Sequence, residues 1–106
     1  MESAVRRVVF AGDSITSSAD WSAWLPGLEA INRGVPGDTT ADLAARITDV
    51  VAVRPDLLSI LIGTNDFGGL DRPAEEVAAD VVSLVQEFRR VLPEARIILQ
   101  LSLIHI

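Results

Sequence analysis

Three short polar segments of this 106-residue chain carry residue types that are suited to acyl transfer. Ser14 supplies a hydroxyl that can attack a carbonyl carbon, and Gly37 and Asn65 supply N–H groups that can hydrogen-bond the resulting oxyanion. Each segment follows an apolar stretch of the chain. The segments are Gly12–Ser14, Asn32–Gly37 and Gly63–Asp66.

The residue types at these positions fit the proposed roles. A serine hydroxyl is a weak nucleophile at neutral pH, so Ser14 needs a base and oxyanion donors. Gly37 has no side chain, which lets its N–H approach a substrate oxygen closely, and the Asn65 amide donates without adding charge. Each segment alone also fits an ordinary turn or helix start. Their order and their common position after predicted strands favour the catalytic interpretation.

These segments do not supply a general base. The only histidine is His105, which lies in an apolar run, and Ser102 rather than an aspartate stands three residues before it. No nearby aspartate can orient the imidazole ring of His105. We therefore expect this histidine to have no catalytic role.

The elements that position the segments are predicted from the apolar pattern, in which strands alternate with helices. We predict a short helix or turn over Trp21–Leu28, a helix that starts at an Asp38 or Thr39 cap and ends before Pro55, and a helix with Pro73 at its first position that ends before Pro93. The predicted strands are Val5–Ala11, Glu29–Asn32, Leu57–Ile62 and Arg96–Leu103.

This alternation predicts an α/β fold with a parallel sheet, right-handed crossovers and helices on both faces. Ligands of such sheets bind beyond the carboxyl ends of the strands. All three polar segments are predicted at those ends, so the fold can bring them together.

The three segments resemble the blocks of the SGNH hydrolases, the GDSL-type esterases and lipases, over about residues 8–100. Ile15 stands where the family usually has leucine in the first block. The resemblance implies a flavodoxin-like three-layer α/β/α sandwich that hydrolyses carboxylic esters of small molecules without a cofactor or metal. It implies that Ser14 is the nucleophile and that the N–H groups of Ser14 and Gly37 and the Asn65 side chain are the oxyanion donors.

The family's last block, an aspartate followed three residues later by the catalytic histidine, has no counterpart in this sequence. We expect residues 1–106 to be one domain that is incomplete at its C-terminus and truncated after the fourth strand. Its esterase activity should be absent or very weak. The exposed edge of the fourth strand should favour self-association.

Composition excludes several other classes of function. The net charge is −6 and no basic cluster is present, which disfavours nucleic-acid binding. The chain has no cysteine, so it has no disulfide, thiolate nucleophile or zinc–thiolate site. No apolar run has the length of a membrane span or of a signal-peptide core. We expect a cytoplasmic protein, with secretion left open if a leader precedes the sequence.

Two alternatives to an esterase remain at this point. One is a non-catalytic module that binds an acylated or acetylated ligand, and the other is a fold that uses Asp13 as a metal-binding or phosphoryl-accepting carboxylate.

We expect Asp13 and Asp66 to make loop hydrogen bonds. Residues 67–69 are interpreted as a mobile loop, and the aromatic residues after Ser14 either anchor a helix or line an acyl pocket; they are Trp21 and Trp24, with Leu25 beside them.

Overall fold

The computed structural model of the protein describes residues 6–63, 65–66 and 70–100. In this part of the chain, strands and helices alternate as the apolar pattern predicts. The strands are β1 (Arg7–Gly12), β2 (Glu29–Gly34), β3 (Leu57–Leu61) and β4 (Arg96–Leu99). The helices are α1 (Ser14–Ser18), α2 (Trp21–Trp24), α3 (Thr40–Ala45), α4 (Ile47–Val51) and α5 (Ala74–Val91).

The strands form one parallel sheet in the order β2-β1-β3-β4. Gly12 at the end of β1 is level with Gly34 on β2 and with Leu61 on β3. Three neighbouring strands therefore end at the same height, and the segments that follow them emerge side by side. The predicted parallel α/β sheet is confirmed.

Helices cover both faces of the sheet. Successive side chains of β1 point to opposite faces, so both faces can be seen from this one strand. Val9 and Ala11 belong to the buried core, together with residues of α3, α4 and α5 such as Phe88. Phe10 points the other way, and its ring stacks on Trp21 of α2 with ring centroids 4.0 Å apart. The three-layer arrangement predicted from the sequence is therefore present.

The helices differ from the predictions in three places. The sequence predicts one helix up to Pro55, but Arg46 leaves helical geometry (φ −118°, ψ 24°) and divides this region into α3 and α4. Helix α1 was not predicted at all. Pro73 precedes the first helical residue of α5 in an extended conformation (φ −60°, ψ 144°), so the prediction that it occupies the first helical position is wrong.

The ends of the predicted strands also shift. β2 continues to Gly34, two residues beyond the predicted end, because β1 pairs with it along its whole length. The predicted bounds of the first and fourth strands are too wide, because β1 begins at Arg7 and β4 ends at Leu99, while Arg6 and Gln100 lie outside the strands. Val5 and Leu103 themselves lie outside the described residues. Among the described residues, no helix is both long and apolar enough to cross a membrane.

Gly34 allows helix α1 to lie directly against the end of β2. A Cβ atom at Gly34 would lie 2.3 Å from the backbone nitrogen of Ser17 and 2.8 Å from its Cα atom. These are backbone atoms, so a side chain at position 34 cannot be accommodated by a rotamer change. The close approach keeps the helix that begins with Ser14 next to the second polar segment.

The Gly34→Ala variant should therefore be less stable than the parent chain by about 1–3 kcal/mol, the usual cost of overpacking. Gly27→Ala is the matched control, since a Cβ atom there has no neighbour within 4 Å. We expect the control to be neutral or stabilising by up to about 1 kcal/mol. Urea unfolding followed by tryptophan fluorescence measures both, and equal stabilities of the two variants would contradict the prediction.

Candidate active site

Ser14 is the first residue of α1 and follows directly on the turn after β1. Asp13 caps this helix: its Oδ1 accepts a hydrogen bond from the backbone N–H of Ile15 at 3.1 Å. Ser14 is exposed, and neither its hydroxyl nor its backbone N–H has a hydrogen-bond partner among the described residues. Its exposure makes Ser14 accessible from solvent.

Gly37 lies in a tight turn after β2. The backbone N–H of Asp38 donates to the carbonyl oxygen of Val35 at 3.1 Å, and Gly37 has a φ of +85°. Pro36 followed by a residue with positive φ is the pattern of a type II turn, which requires glycine at that position. Within the described part of the chain, the N–H of Gly37 has no partner and the residue is exposed.

Asn65 follows β3 and joins the third polar segment to the second. Its Nδ2 donates to the backbone oxygen of Asp38 at 3.0 Å. An amide nitrogen carries two hydrogens, so one N–H holds the side chain in place and the other can still donate. Asn65 is half-buried, and its amide lies next to the Gly37 turn.

Arg46 connects the first polar segment to Asp38, the residue that follows Gly37. Its Nε donates to Asp38 Oδ2 at 2.8 Å, and its Nη2 donates to the carbonyl oxygen of Gly12 at 3.1 Å. The same carbonyl oxygen accepts the N–H of Val35 at 2.9 Å. Sequence analysis missed this arginine, since nothing local marks a residue whose partner is 34 positions away.

Asp66 makes hydrogen bonds, as predicted, and they join it to the first residue of α3. Its carboxylate is almost wholly buried and accepts from the backbone N–H of Thr40 at 2.8 Å and from the Thr40 hydroxyl at 2.8 Å. Arg72 Nη1 donates to the same carboxylate at 2.9 Å. The residue next to Asn65 is therefore firmly tied to the helix that follows the Gly37 turn.

Asp13 is the least satisfied of the buried carboxylates. Its Oδ2 is the one buried side-chain polar atom without a hydrogen-bond partner in the described residues. Burial raises the pKa of Asp13, an effect that the bond from Ile15 opposes and the neighbouring Asp38 charge reinforces. Asp13 thus lies next to Ser14 with one carboxyl oxygen unpaired among the described residues. Its burial also keeps this carboxyl from reaching a metal or a phosphoryl donor in solvent, which disfavours the Asp13 alternative.

Asn32 holds α1 in position, a role that the sequence analysis did not assign. Its Nδ2 lies within hydrogen-bond distance of three backbone oxygens around the end of α1, and its Oδ1 accepts from the N–H of Gly34 at 2.8 Å. The helix anchor expected among the aromatic residues is Trp21, which stacks on the sheet and donates to Thr16 O at 3.0 Å. Trp24 is largely exposed.

Some predicted features lie outside the described residues. These are the histidine at position 105 with Ser102, Thr64 of the third segment and the loop expected at residues 67–69. In the described ranges, no group of three or more potential metal ligands occurs.

Comparison with known proteins relates this architecture to ester hydrolases. The GDSL-like Lipase/Acylhydrolase family matches residues 10–105. Platelet-activating factor acetylhydrolase IB subunit alpha2 of Homo sapiens is 31% identical over 97 residues, which cover 86% of this chain and 41% of that protein. The chain therefore spans less than half the length of this relative.

Two solved structures extend the comparison. An acetyl xylan esterase from Geobacillus stearothermophilus is 30% identical with a TM-score of 0.67, and the match covers 89% of this chain and 58% of that one. A family 3 carbohydrate esterase from Clostridium thermocellum has a TM-score of 0.75 at 18% identity, over 89% of this chain and 60% of that one. The second match shows likeness of fold alone.

Proposed function

Because the chain belongs to the GDSL-like lipase/acylhydrolase family, we propose that it carries the nucleophile and the oxyanion hole of a serine esterase. Ser14 is the nucleophile. The N–H groups of Ser14 and Gly37 and the Asn65 amide are the oxyanion donors. One observation carries this proposal: the 3.0 Å hydrogen bond from Asn65 to the Asp38 carbonyl places a side-chain donor beside the Gly37 turn, at the strand ends where Ser14 also lies.

The reaction proceeds through an acyl-enzyme. The Ser14 oxygen bonds to the ester carbonyl carbon while its proton passes to a base, and the carbonyl oxygen becomes an oxyanion held by the donors. The C–O bond to the alcohol then breaks, and the alcohol leaves with a proton. Water attacks the acyl-serine in the same way, which releases the carboxylic acid and restores Ser14.

The proposed activity of this chain alone is weak, because it offers no evident general base. His105 is its single histidine, and no aspartate stands three residues before it. In a serine protease, loss of a nucleophile or base lowers turnover by about six orders of magnitude, and the remaining groups retain about 10³–10⁴ over water. An external base such as imidazole should raise the reactivity of Ser14.

The proposed substrates are small carboxylic esters. Both named relatives above 25% identity are described as acting on acetyl groups, one as an acetylhydrolase and one as an acetyl xylan esterase. An activated acetyl ester is therefore the first substrate to test.

Covalent labelling tests the proposal directly. We expect a fluorophosphonate, with imidazole present, to form one adduct on the tryptic peptide Val8–Arg33 and fragmentation to place it on Ser14. The urea-unfolded chain is the control and should not react. Saturable binding of an acetyl ester with no adduct would instead favour the non-catalytic binding module, and an adduct at another serine would overturn the assignment.

We also propose that two copies of the chain associate through β4. This strand lies at one edge of the sheet, and its Ile98 and Leu99 side chains are 49% and 36% exposed. Its outer edge pairs with no other described strand, and an open edge can add a strand from a second copy. The net charge of −6 opposes this contact, so added salt should strengthen it.

Light scattering over a concentration series should therefore detect dimers, and the Ile98→Glu variant should shift the population toward monomer. Val82→Glu is the matched control, since Val82 is a similarly exposed apolar residue (52%) that lies on α5 and not on β4. A monodisperse monomer at every concentration and salt level would contradict the proposal. An equal shift in both variants would mean that added charge, rather than the β4 edge, governs association.

A further inference from the structure

Arg72 connects the third polar segment to helix α5. Its Nη1 donates to Asp66 Oδ2 at 2.9 Å, and its Nη2 donates to Glu76 Oε1 at 2.9 Å and to Asp80 Oδ2 at 2.6 Å. These two acids lie in the first two turns of an 18-residue helix whose inner face is part of the core. One guanidinium thus links Asp66 to a rigid element.

The hydrogen bonds continue from Asp66 to the residues that follow the Gly37 turn. Asp66 accepts two hydrogen bonds from Thr40, and the adjacent Asn65 donates to the carbonyl oxygen of Asp38. Two consecutive residues after β3 therefore hold two positions just after Gly37. A shift of Asp66 would move the Asn65 amide relative to the Gly37 N–H.

The charges explain why Arg72 is needed for this arrangement. Asp66 is 1% exposed, and Arg72 supplies its one recorded ionic partner in the described chain. A buried carboxylate that loses its cation becomes strongly unfavourable, so Asp66 should shift to reach solvent. Hydrogen bonds to Asp80 and Glu76, and then to Asp66, raise the pKa of Arg72 further, so the guanidinium stays charged.

We propose that Arg72 is a positioning residue: through Asp66, it holds the Asn65 amide at the distance from the Gly37 turn that oxyanion binding requires. The proposal rests on the proposed esterase function, in which Asn65 is a donor. Arg72 itself touches neither substrate nor nucleophile. Sequence analysis did not single it out, because Asp66 and Asp80 become its neighbours only in the folded chain.

A double-mutant cycle on the rate of fluorophosphonate labelling of Ser14, with imidazole present, tests this role. We expect Arg72→Gln to lower the rate by about 10- to 100-fold, since small misplacements of reacting groups can cost that much. In an Asn65→Ala background, the same substitution should cost less than about twofold, because the group it positions is already gone. Full additivity would overturn the proposal.

Matched variants separate positioning from general stability. Arg90→Gln removes an exposed arginine of α5 that pairs with Glu87 on the same helix, and it should leave the labelling rate unchanged. Arg72→Lys keeps the charge without the forked geometry, so it should recover part of the rate. If Arg72→Gln fails to fold, Arg72→Lys carries the cycle, and its failure to show coupling with Asn65→Ala would overturn the proposal.

A second readout does not depend on catalysis. The Asn65 side-chain amide resonances, and the hydrogen-exchange protection of the Thr40 N–H, should change in Arg72→Gln and stay as in the parent chain in Arg90→Gln. If Ser14 proves unreactive while these signals change, the esterase proposal fails, but the structural link from Arg72 through Asp66 to Asn65 is supported. If Ser14 reacts and neither the signals nor the rate depends on Arg72, the positioning role is wrong.

Discussion

In the Ser14→Ala variant, we expect covalent labelling of the Val8–Arg33 peptide to fall to the level of the urea-unfolded chain. The substitution removes the one oxygen that forms the bond to phosphorus or to an acyl carbon. It should leave the fold intact, because the Ser14 hydroxyl has no partner in the described structure and alanine suits the first turn of a helix. Intact-mass and peptide mass spectrometry measure the adduct.

Ser18→Ala is the control for this variant. Ser18 lies in the same short helix and the same tryptic peptide, is exposed, and has no side-chain hydrogen bond in the described structure. Its alanine variant should be labelled at the parental rate. Unchanged labelling of Ser14→Ala, or loss of labelling in Ser18→Ala with Ser14 intact, would remove Ser14 from the role of nucleophile.

Replacing Asn65 with alanine should slow the labelling of Ser14 by about 10²–10³-fold, the usual effect of removing one oxyanion donor. The physical reason is that charge builds up on the substrate oxygen only as the bond to Ser14 forms, so the donor acts mainly on the transition state. The bond to Asp38 is lost too, which should cost about 1 kcal/mol of stability. Rates are measured with imidazole as the external base.

Gln86→Ala provides the comparison for Asn65→Ala. It removes an exposed side-chain amide from α5 and should change the labelling rate by less than about twofold. Asn65→Asp replaces the donors with a negative charge at nearly the same shape, so it should be at least as slow as the alanine variant. An Asn65→Asp variant that reacts as fast as the parent would exclude an oxyanion role for this side chain.

Local patterns were sufficient for much of the fold. The alternation of apolar strands with amphipathic helices predicted a parallel sheet with helices on both faces, because a strand that is buried on two faces has a continuous apolar run. Thr39 was predicted as a possible helix cap, and it forms a capping box with Asp42. These features depend on neighbours within a few residues, so the sequence displays them directly.

Other features arose only from contacts between distant parts of the chain. Arg46 interrupts the predicted helix, and its guanidinium binds Asp38 and the end of β1. Sequence analysis gave Gly34 no role of its own, and the need for glycine there follows from the contact with α1. No periodicity marks such positions, because their partners become neighbours only when the strand order is established.

Residue order alone is enough to predict the groups of the proposed acyl-transfer reaction: a serine after the first strand, a glycine turn after the second and an asparagine after the third. The contacts around these groups are visible only in the folded chain, namely the hydrogen bond from Asn65 to Asp38 and the bonds from Arg46 to Asp38 and from Arg72 to Asp66. The reason is physical. Residue type and local order are written along the chain, whereas an ion pair or a hydrogen bond between distant residues exists only after the sheet places β1 between β2 and β3.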